Sequence, residues 1–140
     1  MQVPSNVAEA FKKAQFARSN AYADYSKVKV GAALKLKGSE EIYYGANVEY
    51  VVNGVSVCAE RSALSHAVSN NGKIEIEFVV VCSNTDPALY PCGVCLQALS
   101  EFSTPDLDIY IGNKDQILNK VQFKDLHPHQ YSSLPKVLKE

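Results

Sequence analysis

No stretch of this 140-residue chain comes near the roughly 20 consecutive apolar residues that span a bilayer. The opening segment from Met1 to Gln15 is interrupted by Pro4, Glu9, Lys12 and Lys13, and so lacks the unbroken apolar centre of a secretory leader. Charge of one sign is missing too: 14 Lys and Arg are scattered among 15 Asp and Glu, for a formal net charge of -1, which offers no electrostatic footprint for DNA or RNA. Repeats, low-complexity tracts and interdomain linkers are absent. Cysteine is sparse, with four in all. What remains, with 46% hydrophobic residues, has the length of one domain over residues 1–140 built on a single core. A small-molecule substrate and a cytoplasmic setting are expected, and in that compartment cysteines are more often ligands or catalysts than disulfides.

Hydrophobic periodicity lays out the elements. Val7, Ala10, Phe11, Ala14 and Ala17 recur at helical steps behind Ser5 or Asn6 as cap, and that helix ends near Asn20. Val28 to Lys37 alternates with period two, predicting a strand with one buried face; Lys37-Gly38-Ser39-Glu40 turns, and Ile42 to Ala46 returns as a second strand. After an irregular loop, a second helix runs from Cys58 to Asn70-Asn71-Gly72. Ile74 to Cys82 reads as a central strand buried on both faces, Gly93 to Phe102 as a helix, and Leu107–Ile111 and Ile117–Phe123 as strands. This order predicts an α/β sandwich, a mixed sheet flanked by helices with parallel crossovers in its second half.

Three of the four cysteines carry chemistry. Cys58 stands in Cys58-Ala59-Glu60-Arg61, and Cys92 and Cys95 in Pro91-Cys92-Gly93-Val94-Cys95. Two thiols this close, joined by a third from another helix start, can occupy three corners of a tetrahedron and leave the fourth open, as catalytic zinc requires. Helix N-termini favour thiolate over thiol at both motifs. Glu60 is placed to carry protons for water at that open corner. Arg61, three residues beyond Cys58, shares its helical face and can donate to its sulfur. Cys82, within Phe78–Cys82, reads as a buried free thiol acting as a small hydrophobe. His66, His127 and His129 read as ordinary surface or hydrogen-bonded residues.

Together with Tyr25-Ser26-Lys27, Val30-Gly31-Ala32-Ala33-Leu34, Asn47-Val48-Glu49 and Gln97, these two thiol motifs resemble the cytidine deaminase family over roughly residues 20 to 100. The resemblance implies a three-layer cytidine-deaminase-like sandwich with about five strands, one zinc per subunit and a homotetramer. It implies deamination of free cytidine or deoxycytidine in pyrimidine salvage, with Glu60 passing protons to N3 and to the departing amine. By the same likeness Asn47 and Glu49 bind the ribose, the Ala59 N–H holds the base carbonyl, and Val28 lines the substrate pocket. Tyr131 would close over the pyrimidine of a neighbouring subunit.

Several positions depart from the family pattern. Val28 stands where Phe is common, Asp24 where Pro is usual, Tyr50-Val51-Val52-Asn53 where Asn-Ala-x-Tyr is usual, Leu96 where Arg follows the last ligand, and Tyr131 where Phe is usual. None touches the metal or the proton carrier; they fall to the substrate pocket or to a subunit contact, and so bear on which nucleoside is accepted. A modified cytosine nucleoside or an antibiotic of the blasticidin S type is the alternative substrate. Outside deaminases, the thiols could form a structural zinc knot closed by a fourth ligand, or a redox dithiol at Cys92 and Cys95.

Overall fold

A computed structural model describes residues 1–140. Helix α1 (Ser5–Ser19) precedes strands β1 (Val30–Leu36) and β2 (Ile42–Ala46), then come α2 (Ala59–Asn71), β3 (Ile76–Ser83), α3 (Gly93–Ser100), β4 (Asp108–Gly112), β5 (Ile117–Gln122) and the short α4 (Phe123–Leu126). The five-stranded sheet has the order β2-β1-β3-β4-β5. Only β3 and β4 are parallel neighbours; β1 runs antiparallel to both β2 and β3, and β5 returns antiparallel to β4. No helix is long and apolar enough to cross a membrane.

Two apolar clusters separate three layers. On one face, Ala59, Ala63, Leu64 and Ala67 of α2 and Leu96 and Leu99 of α3 meet Ala32, Leu34, Val79, Val81 and Ile109 of the sheet. On the other, Val7, Ala10, Phe11 and Ala14 of α1 cover Ala33, Phe78, Val80 and Cys82. β3 is therefore buried on both sides, as its continuous apolar run predicts. Both thiol-bearing helices lie on the same face.

β1 differs from its expected single buried face: every residue from Gly31 to Leu36 is buried. Its odd residues are small or paired rather than solvent-facing. A Cβ at Gly31 would collide with the Ala14 carbonyl and the Arg18 amide, so glycine admits α1 at backbone contact. Lys35 is buried with its Nζ 2.7 Å from Glu77. Period-two polarity was thus a record of close approach and ion pairing, not of solvent. Gly45 in β2 plays the same part for α2, where a Cβ would strike the backbone of Ser62 and Ala63. That contact sets the depth at which the N-terminus of α2, with Cys58, sits against the sheet.

Candidate active site and metal centre

Cys58 and Cys92 are the N-cap residues of α2 and α3, both with extended backbone, and neither side chain caps its helix. Their sulfurs are free to turn toward one another. Cys95 lies one turn into α3, three residues on, hence on the same side as Cys92. The three Sγ atoms all lie within 4.8 Å of one another, with Cys58 and Cys92 4.0 Å apart. Tetrahedral zinc with Zn–S bonds of about 2.3 Å requires sulfurs about 3.75 Å apart, so the trio fits that ion with small inward adjustment. A softer-than-oxygen, all-sulfur donor set selects zinc over magnesium or calcium.

The thiols, Arg61 and Glu60 act on one another electrostatically. The Cys58 thiol is lowered to about 5, first by a hydrogen bond from Cys95, then by Arg61 and Cys92, with burial opposing. Cys95 is pushed up, because it donates to Cys58, is buried, and faces the Glu60 charge. Arg61 Nη2 donates to Cys58 Sγ at 3.7 Å. Glu60 is 5% exposed, and burial followed by the Cys58 charge raises its carboxyl to about 7. A carboxyl at that value exchanges protons freely near neutral pH.

Cys58, Cys92 and Glu60, but not Cys95 or Arg61, reach the surface of a cavity of about 230 Å³. Cys58, Ala59, Glu60 and Cys92 lie at its base, while Val28, Val30, Val81, Leu89 and Tyr90 make apolar walls with Asn47 and Ser26 among them. Of the residues singled out in the sequence, Val28, Asn47, Cys58, Ala59, Glu60 and Cys92 line this cavity. Glu49 sits one step back, its Oε1 accepting from the Ser26 N–H at 3.2 Å. Asn47 is engaged on both sides of its carboxamide, donating to the Val28 carbonyl and accepting from the Val30 N–H, each at 2.8 Å. Tyr131 is 57% exposed and outside the cavity wall of its own chain; its carbonyl accepts from Gln97 Nε2 at 2.8 Å.

Tyr90, Leu89 and Ser26 are lining residues that sequence reasoning did not assign. Tyr90 has a local signal, since it precedes Pro91-Cys92, and its hydroxyl accepts from Asn119 Nδ2 at 2.8 Å. Cys82 lies under α1, across the sheet from the other thiols, where its Sγ meets the Asn113 carbonyl at 3.2 Å. It is in no position to join them. His66 Nδ1 is 3.0 Å from the Tyr44 carbonyl, and His127 Nε2 is 3.2 Å from Gln97 Oε1. Leu96 is buried in the core on the α2 face, packing where a charged residue would need a partner.

Comparison with known proteins gives a consistent result. Residues 4–111 match the family model described as the cytidine and deoxycytidylate deaminase zinc-binding region. A cytidine deaminase of Halalkalibacterium halodurans is 35% identical over 87% of this chain and 91% of its own length. One from Sporosarcina psychrophila is 35% identical over 94% and 93%. Among solved structures, cytidine deaminase from Burkholderia pseudomallei superposes with a TM-score of 0.81 at 32% identity, covering 89% of this chain and 98% of that one.

Proposed function

We propose, because this chain belongs to the cytidine and deoxycytidylate deaminase family, that it hydrolyses the exocyclic amine of cytidine or deoxycytidine to give the uracil nucleoside and ammonia. The observation that carries this reading is a buried carboxyl, Glu60, beside three converging thiols at an apolar cavity. Zinc held by Cys58, Cys92 and Cys95 supplies the Lewis acidity that makes water a competent nucleophile near neutral pH.

The chain's own residues do the rest. Glu60 accepts the proton that water loses as its oxygen bonds to C4 of the base, and hands it to N3. The remaining water proton passes through Glu60 to the amine, the C4–N bond breaks, and ammonia leaves with the ring carbonyl formed. Ala59 is the first residue of α2, so its N–H has no partner within the helix and is available to the base carbonyl. Asn47 and Glu49 serve the ribose. Arg61 withdraws charge from the Cys58 sulfur, which offsets the weakened Lewis acidity of zinc bound by three thiolates. Val28, Val30, Val81 and Leu89 exclude bulk water from the reacting atoms.

Assembly as a homotetramer and a cytoplasmic salvage role belong to the same reading. Its support is the exposed apolar run Tyr50-Val51-Val52, with Val51 79% exposed, and an exposed Tyr131 that does not line the cavity of its own chain. Sedimentation should give four chains per particle; a monomer at micromolar concentration would refute the assembly.

The function is tested by following loss of cytosine absorbance across cytidine, deoxycytidine and N4-substituted cytidines. Val28 is half-buried at the wall, and valine leaves room that a larger side chain would take. Turnover of cytidine with release of ammonia is expected, together with measurable turnover of an N4-methyl analogue. Val28→Phe should lower kcat/KM for that analogue about tenfold relative to cytidine, the scale of one small group in an apolar pocket. A wild type already restricted to plain cytidine would refute the roomy-pocket part, and no turnover of any cytosine nucleoside would refute the whole.

A further inference from the structure

β1 begins at Val30, where it pairs with Ser83, yet part of the cavity wall is built by Ser26 and Val28 just before it, beyond the last rung of either neighbouring strand. A segment there must satisfy its backbone some other way. Residues 26–30 do so completely on the donor side. Ser26 N–H is bound by Glu49, Lys27 N–H by the Ala23 carbonyl at 2.8 Å, and Val28 N–H by Ser26 Oγ at 3.0 Å. Lys29 N–H is bound by Asn84 Oδ1 at 2.9 Å, and Val30 N–H by Asn47 Oδ1 at 2.8 Å.

The two asparagines act as a matched pair. Asn47 is the first residue after β2 and Asn84 the first after β3. Asn47 takes the Val28 carbonyl and Val30 N–H through its side chain, and its own N–H reaches the Val30 carbonyl at 3.1 Å. Asn84 takes the Lys27 carbonyl and Lys29 N–H, and its own N–H reaches the Lys29 carbonyl, also at 3.1 Å. A carboxamide presents the same donor and acceptor as a peptide group, so each side chain adds one more rung where the ladder has ended. Odd residues are held from the β3 side and even residues from the β2 side. Lys27 is the chain's one non-glycine residue with positive φ, at 65°, a conformation that such clamping maintains.

We propose that Asn84, which does not line the cavity, is a positioning residue for substrate binding: through Lys27 and Lys29 it fixes Val28 at the cavity wall. This rests on the reading of that cavity as the nucleoside site. Its effect belongs to binding rather than to proton transfer, because the strap does not touch Glu60 or the thiols through any of these bonds.

Asn84→Ala in the zinc-loaded enzyme should raise KM for cytidine about tenfold, the scale of two net hydrogen bonds, with kcat changed by no more than about twofold. Asn84 is exposed, so the fold should survive with full zinc content and a melting temperature lowered by no more than about 7 °C, the cost of the same two bonds. Asn84→Asp keeps an acceptor for Lys29 N–H and loses the donor to Lys27, and should fall between the two. Asn70→Ala, which removes a side-chain bond to the His66 carbonyl on α2, is the comparison that should leave KM unchanged. Amide exchange at Lys29 should quicken in the Asn84→Ala protein alone. Unchanged KM, or a loss confined to kcat, overturns the proposal. A wild type with no activity toward cytosine nucleosides overturns it along with the assigned function, and is told apart because faster Lys29 exchange in Asn84→Ala would still be seen.

Discussion

Glu60→Gln should lose turnover by about 10²- to 10⁴-fold, keep its zinc, and melt at a higher temperature than wild type. Activity falls because the amide cannot shuttle protons between water, N3 and the leaving amine. Stability rises because the carboxylate is held at 5% exposure, where burial is the largest cause lifting its pKa from 4.5 to about 7. That rise is worth about 3 kcal/mol against the charged folded state, and for a chain of this size roughly 5–10 °C in Tm for the zinc-free protein.

The pH dependence gives the prediction its sign. A raised folded-state pKa means that the native state holds its proton more tightly than the unfolded chain. Below pH 4.5 Glu60 is protonated in both states, and wild type and variant should be equally stable at that position. Between 4.5 and about 7 the unfolded chain ionises first, so wild type loses this contribution as pH rises, and the gap in favour of Gln opens. Above about 7 it stays constant. Zinc-free thermal melts of both proteins from pH 4 to 9 would check this; a gap that is flat across that range, or that favours wild type at high pH, contradicts a desolvated carboxylate. Together the two readouts separate a catalytic group from a merely structural one, which would cost stability when replaced.

How far the sequence alone reaches depends on the kind of signal. Val7, Ala10, Phe11, Ala14 and Ala17 are all buried on α1, because helical spacing writes one face directly into the chain. The thiol motifs were legible for a related reason: Cys58 and Cys92 sit at helix starts, and two short segments carry the whole donor set. β1 was misread because its polar alternation is the same whether a lysine faces solvent or, as with Lys35, a cross-strand glutamate. Asn84 was invisible as anything but a loop residue. Its partners lie 55 and 57 positions away, and a side chain that extends a ladder leaves no periodic trace. Family likeness named Val28 at the cavity wall, but Val81 and Tyr90 were illegible on the same ground, since they meet it only once the sheet order β2-β1-β3 is known.

Stripping the metal with a strong chelator should abolish turnover and lower the melting temperature by about 10 °C, and added zinc should restore both. A ligand present at a thousand times its Kd stabilises the native state by about 4 kcal/mol, and a structural or catalytic zinc held by three thiolates is bound at least that well at neutral pH. The fold should outlast the metal, because the apolar clusters on both faces of the sheet are built without the thiols: Val79, Leu99 and Ile109 on one side, Ala14 and Val80 on the other. Damage should be local to the first turns of α2 and α3, where Cys58 and Cys92 stand. Protons compete with zinc for the same sulfurs, so affinity must fall on acidification. Titration from pH 8 downward should therefore release zinc, and should do so before the sheet unfolds. Metal content, absorbance-based turnover and far-ultraviolet circular dichroism on one titration series test the order of events. Turnover that persists in demonstrably metal-free protein would remove the thiol centre from the reaction altogether, and a chain that unfolds in step with zinc release would make the centre a folding staple as well as a catalytic one.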